Sequence, residues 1–224
     1  MTPSGRGTGP RGPRTGADAL AADVRGAARP GRAQDAEDAF RRSIDLLVAD
    51  DAPQAVLAAQ AAKRLAPRAP VVREVLGLAL YSSGRFKEAL GELLAYRRMS
   101  GRQDENHMIA DAYRAVGTPE KAPPLIREAL TVELPADVRA ELFVVGAAAL
   151  ADMGRYDDAL SLLRGYRHVE DIVSGYDLRV WYAVADVLDR AGRHAEAADA
   201  FRRLLQHDDE VFDAEERLAV LEAT

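Results

Sequence analysis

The sequence predicts an all-α chain, a solenoid of about five helical hairpins closed by a C-terminal capping helix. Three observations point there. Alanine, leucine, arginine and aspartate dominate while aromatic residues make up only 6%, the balance expected where helices carry the fold. From Ala33 onward apolar residues recur at helical spacing. A short glycine-centred phrase also returns at a nearly constant interval, the mark of a repeat architecture.

The phrase reads Gly84-Arg85-Phe86-Lys87-Glu88-Ala89-Leu90, then Gly154-Arg155-Tyr156-Asp157-Asp158-Ala159-Leu160, then Gly192-Arg193-His194-Ala195-Glu196-Ala197-Ala198. A weaker copy runs Gly117-Thr118-Pro119-Glu120-Lys121-Ala122, and the variant Asp50-Asp51-Ala52-Pro53-Gln54-Ala55-Val56 has no glycine. From Ala55 to Ala89, Ala122, Ala159 and Ala197 the successive steps are 34, 33, 37 and 38 residues. The glycine permits the left-handed backbone that ends a first helix, and the alanine lets a second helix approach it closely.

Taken in order, residues 1–33 are a basic Arg/Gly/Pro tail. Six arginines (Arg6, Arg11, Arg14, Arg25, Arg29, Arg32) stand against Asp18 and Asp23, so the tail carries +4 and the body −10 of a net −6. Only Leu20 and Val24 are larger aliphatics there, too little apolar surface to offset the entropy of ordering, so the tail is expected to be disordered. A helix over 17–28 would need packing from elsewhere. The repeat domain, 34–224, is expected to form helices at 36–49 and 53–65, 70–82 and 86–98, 103–116 and 119–132, 136–152 and 156–167, and 177–191 and 194–207. Pro123-Pro124 should make the helix of 119–132 begin late, with a proline in its first turn. The link His168-Val169-Glu170-Asp171-Ile172-Val173-Ser174-Gly175-Tyr176 accounts for the 38-residue step. A last helix near 211–222 places Leu218 and Leu221 on one side and acids on the other, as a terminal cap does.

These residues resemble the tetratricopeptide repeat family over roughly Ala36 to Gln206, with Leu76-Gly77, Tyr113, Trp181, Phe201 and Pro67 as further echoes in register. The resemblance implies a right-handed superhelix whose first helices line a concave groove for a protein or peptide, and so a non-enzymatic interaction scaffold or adaptor. The Ala/Arg/Asp-rich style and Arg/Gly tail are similar to those of tetratricopeptide proteins of high-GC actinobacteria, which implies a bacterial cytosolic setting and supplies no activity.

By this register the groove positions are Glu74, Leu78 and Tyr81, then His107, Asp111 and Arg114, then Glu141 and Asp152, then Arg179, Tyr182, Asp186 and Asp189. Family members that grip a chaperone's C-terminal carboxylate place Lys, Arg and Asn on this face. That set is missing, and a mildly acidic groove with tyrosines suits a basic or apolar partner segment.

Other chemistries find no pattern. The chain has no cysteine, which excludes disulfides, thiolate zinc sites and thiol nucleophiles. His107, His168, His194 and His207 form no metal-ligand pair; His168 with Glu170 and Asp171 reads as a solvent-facing link. The pairs Asp50-Asp51, Asp157-Asp158 and Asp208-Asp209 fall near helix junctions and read as N-terminal acids favoured by the helix dipole. With no strand expected there is no phosphate-binding loop, and no cofactor is expected. No stretch has signal-peptide or membrane-spanning character, so a cytoplasmic, membrane-free protein is expected. The alternative is a nucleic-acid-associated protein acting through Arg6-Gly7, Arg11-Gly12 and Arg25-Gly26, a reading opposed by the acidic body and the lack of aromatics in the tail. The opposite charges of tail and body also allow self-association.

Overall fold

A computed structural model describes residues 16–167, 173–208 and 211–223. Among them are twelve α-helices, one 3-10 turn and no strand. The chain divides into two compact units, residues 1–84 and 85–224.

The first unit holds α1 (Gly16–Gly26), α2 (Ala33–Val48), α3 (Ala52–Leu65) and α4 (Pro70–Ser82). Helix α4 lies where the sequence predicts it, and α2 and α3 differ from expectation by three residues at most. Helix α1 is a correction: the expected disordered tail is helical from Gly16, while its residues 1–15 lie outside the described residues. The physical reason is tertiary packing. Ala21 and Val24 are fully buried where α1 meets α2 and α4, Arg25 hydrogen-bonds to Glu37, and Arg41 reaches Asp18 at 3.0 Å. Two apolar side chains and a pair of inter-helix charges supply what an isolated 11-residue helix lacks.

The second unit holds α5 (Phe86–Ser100), α6 (Asn106–Ala115), a 3-10 turn (Pro119–Lys121), α7 (Ala122–Ala129), α8 (Ala136–Asp152), α9 (Tyr156–Leu163), α10 (Gly175–Arg190), α11 (His194–Leu205) and α12 (Ala214–Glu222). Helix α7 starts late with proline in its first turn, as the steric argument requires. The link after α9 ends in a capping box. Ser174 and Asp177 exchange hydrogen bonds, and the fully buried Asp177 also accepts from the Tyr166 hydroxyl at 2.5 Å.

Four of the junctions inside hairpins close the same way. The backbone N–H after the left-handed residue donates to a carbonyl five residues back: Asp51 to Leu46, Thr118 to Tyr113, Arg155 to Leu150 and Arg193 to Leu188, all within 2.8–2.9 Å. Gly154 and Gly192 supply the positive φ (73° and 74°). Where the phrase has no glycine, Asp50 takes it at 57°, a conformation that aspartate tolerates better than most residues. The alanines that mark the period, Ala55, Ala89, Ala122, Ala159 and Ala197, are all fully buried.

In the second unit consecutive helices pack as antiparallel neighbours, and α6, α8 and α10 lie side by side in one layer. Helix α8 is the most enclosed of them. Its Gly146 is a point of close approach: a Cβ there would stand 2.8 Å from Leu162 and 2.9 Å from Ile126.

Candidate functional site

The α6–α8–α10 layer carries nine of the twelve groove positions expected from the sequence: His107, Asp111 and Arg114 on α6, Glu141 and Asp152 on α8, and Arg179, Tyr182, Asp186 and Asp189 on α10. Glu74, Leu78 and Tyr81 lie on α4 of the first unit, partly exposed.

Most of these charges are spent on one another. Arg114 binds Asp111 at 2.6 Å on its own helix and Asp152 of α8 at 2.7 Å. Asp152 also takes Arg190 of α10 at 2.8 Å, and Arg179 of α10 donates to Glu141 of α8. Arg217 of α12 then reaches back to Asp186 at 3.1 Å and Asp189 at 2.6 Å, and Asp189 meets His194 at 3.1 Å. The pairs Arg114–Asp152, Asp152–Arg190 and Glu141–Arg179 each span 38 residues, so they join equivalent positions of successive hairpins.

The environment tunes these groups. Burial works against the Asp152 and Asp189 carboxylates, but hydrogen bonds from Arg114 and Arg190, and from Arg217 and His194, hold both below the usual aspartate range. Burial likewise opposes the Arg217 charge, and Asp189 and Asp186 more than offset it, raising that group. Arg114, Asp152, Asp186 and Asp189 thus act as struts between helices, with Asp111 steadying Arg114 from its own helix, a use the sequence reading did not foresee.

What stays open is a double hollow on the same layer. The first, about 280 Å³, has an apolar floor of Val144 and Ala148 from α8 and Ala183 and Val187 from α10, under Arg179 and Tyr182. The second, about 670 Å³, lies between His107, Asp137, Glu141 and Tyr176. Arg179 and Phe212 border both.

Burial lowers the pKa of His107, only partly opposed by its hydrogen bond to the Asp104 carbonyl at 2.9 Å and by Glu141. A carbonyl can only accept, so Nδ1 carries the proton and Nε2 is left as an acceptor. Tyr182 is pushed up to about 12 by burial and by donating to Asp213, and it stays protonated.

Of the remaining histidines, His207 lies against Trp181 at 5.0 Å between ring centroids. His168, Glu170 and Asp171, and Asp209 of the Asp208-Asp209 pair, lie outside the described residues.

Sequence reasoning missed Val144, Ala148, Asp137, Phe212, Asp213 and Arg217. For Arg217 a signal existed: it stands 38 residues after Arg179, which stands 38 after Glu141, so the repeat continues into the closing helix.

Two sequence profiles described as tetratricopeptide repeats match the chain, one over residues 40–103 and the other over 107–208. No curated protein matches it in sequence. Among solved structures, a thermophilic tetratricopeptide repeat protein of Thermus thermophilus is similar over 84% of this chain and 100% of its own, with 19% identity and a TM-score of 0.62. YrrB, described as a tetratricopeptide repeat protein with an unusual peptide-binding site, is 16% identical over 80% of this chain and 89% of its own, with a TM-score of 0.57. A putative kinesin light chain of Podosopora anserina with nearly identical repeats is 18% identical over 83% and 94%, at 0.56.

Proposed function

Because the chain belongs to the tetratricopeptide repeat family, we propose that it is a non-enzymatic scaffold that holds a protein or peptide segment on the α6–α8–α10 layer. The observation that carries this reading is the double hollow, an apolar floor beside a mildly acidic, tyrosine-bearing rim, on a layer cross-linked by its own ion pairs. Side chains already held by a partner lose little further conformational entropy on binding.

Of the twelve positions expected from the sequence, His107, Arg179 and Tyr182 are proposed as contacts on this layer, and Glu74 and Tyr81 as contacts of the first unit by itself. Asp111, Arg114, Asp186 and Asp189 are proposed to shape the surface. The rim acids Asp137, Glu141 and Asp186 favour a basic or apolar segment over an acidic one. The peptide-binding site described for YrrB is a property of that protein and supports the reading by analogy of fold alone.

The test is affinity capture from the native cell with the full chain, its Ala148→Arg variant and its Tyr182→Ala variant, with folding checked by circular dichroism. A partner retained by the native chain and lost with either folded variant is expected. Undiminished capture by Ala148→Arg would remove the groove from the account.

A further inference from the structure

Phe212 is placed at odds with ordinary packing. Its φ of 50° lies in the left-handed region, which a bulky side chain rarely adopts. Burial of its own ring does not offset this, since the residue is 60% exposed. Both flanks are anchored: Val211 and Ala214 are buried, and Asp213 accepts from the Tyr182 hydroxyl. Between these anchors the ring is pushed out over the α8–α10 surface. It meets Tyr182 edge to face at 5.0 Å, and Tyr182 also meets the buried Phe201 at 5.7 Å. With Arg179, Phe212 also borders both hollows.

We propose that Phe212 is a built-in competitor for the groove, standing where the aromatic side chain of a bound peptide belongs. The occupant is an extended peptide whose aromatic ring replaces that of Phe212 over Tyr182 and the Val144–Ala148 floor. A lysine or arginine one or two residues away enters the neighbouring hollow, where Asp137 and the acceptor nitrogen of His107 meet it beside the Glu141 carboxylate already paired with Arg179, so that the two acids outweigh the one cation there. Glycine at 212 accepts the left-handed backbone without strain, so Phe212→Gly removes the ring and keeps the turn. This inference rests on the groove reading above and adds to it the ligand chemistry and the internal competition.

The probe is the peptide acetyl-Ser-Lys-Ala-Phe-Ala-Lys-Ser-amide, titrated into the isotope-labelled full chain and followed by amide chemical shifts. Melting temperatures confirm that Phe212→Gly is folded. Shifts are expected at Val144, Ala148 and Tyr182, with half-saturation at least tenfold lower in Phe212→Gly than in the native chain, corresponding to a ring that leaves the site open about a tenth of the time or less. The same peptide with its phenylalanine replaced by alanine should lose these shifts. Shifts at those residues with equal half-saturation in both chains would overturn the competition and leave the groove standing. No shift there in either chain would overturn both.

Discussion

Gly146 offers the most quantitative test of how the hairpins stack. It lies in the middle of α8, where glycine is about 1 kcal/mol worse than alanine by helix propensity. Propensity alone therefore predicts that Gly146→Ala stabilises the protein. The structure predicts the reverse, because the new Cβ would stand 2.8 Å from Leu162 Cδ2 and 2.9 Å from Ile126 Cγ2. The end of Leu162 can swing aside, but Ile126 is branched at Cβ and only 2% exposed. Overpacking of this kind costs roughly 1–3 kcal/mol, so Gly146→Ala should lose on the order of 1 kcal/mol net, and Gly146→Val more. Gly91, inside α5, is the internal control. A Cβ there meets nothing within 4 Å, so Gly91→Ala should gain about 0.5–1 kcal/mol. Urea unfolding of the three variants, followed by far-ultraviolet circular dichroism, measures the sign directly. Gly146→Ala as stabilising as Gly91→Ala would refute the close packing of α8 against α7 and α9.

Other perturbations follow from the same structure. Val24→Asp places a carboxylate at a fully buried site between α1 and its neighbours and should destabilise the first unit by about 2 kcal/mol or more, read as a lower urea midpoint. The folded-state pKa values of Asp152 and Asp189 lie below their ordinary 3.8. Their contribution is therefore present above that value and lost as pH falls through the lower folded value, and Asp152→Asn should flatten the acid limb of the stability profile. His107 is depressed below 6.5, so the unfolded chain binds its proton first. Stability should fall as pH drops below about 6.5, and His107→Gln should remove that step; nuclear magnetic resonance titration of the imidazole checks the direction.

The repeat frame was legible because it depends on residues whose roles are local. A fully buried alanine and a turn residue with positive φ must recur wherever two helices meet closely, so α4 and α8 occupy the predicted spans to the residue. Helix α1 was illegible because its two buried side chains carry no period of their own; its stability comes from packing on α2 and α4, not from its own residues.

The candidate site divides the same way. Face assignment follows from helical spacing, which placed His107, Arg179 and Tyr182 on one layer. Whether a charge faces a ligand or a neighbouring helix depends on its partner, and Arg114, Asp152 and Arg190 show that partner to be the same position one hairpin away. Phe212 could not be read at all. An aromatic residue in the left-handed region breaks the local rule for turns, and only the anchoring of Val211 and Ala214 on either side imposes it.

A partner held in the groove must cover α8 and α10. Hydrogen exchange of the full chain, alone and with the partner recovered by affinity capture, measures this for every backbone amide. Slower exchange concentrated in α8 around 141–148 and α10 around 179–187 is the expected result. Protection confined to α7, α9 and α11, with α8 and α10 unchanged, would contradict it.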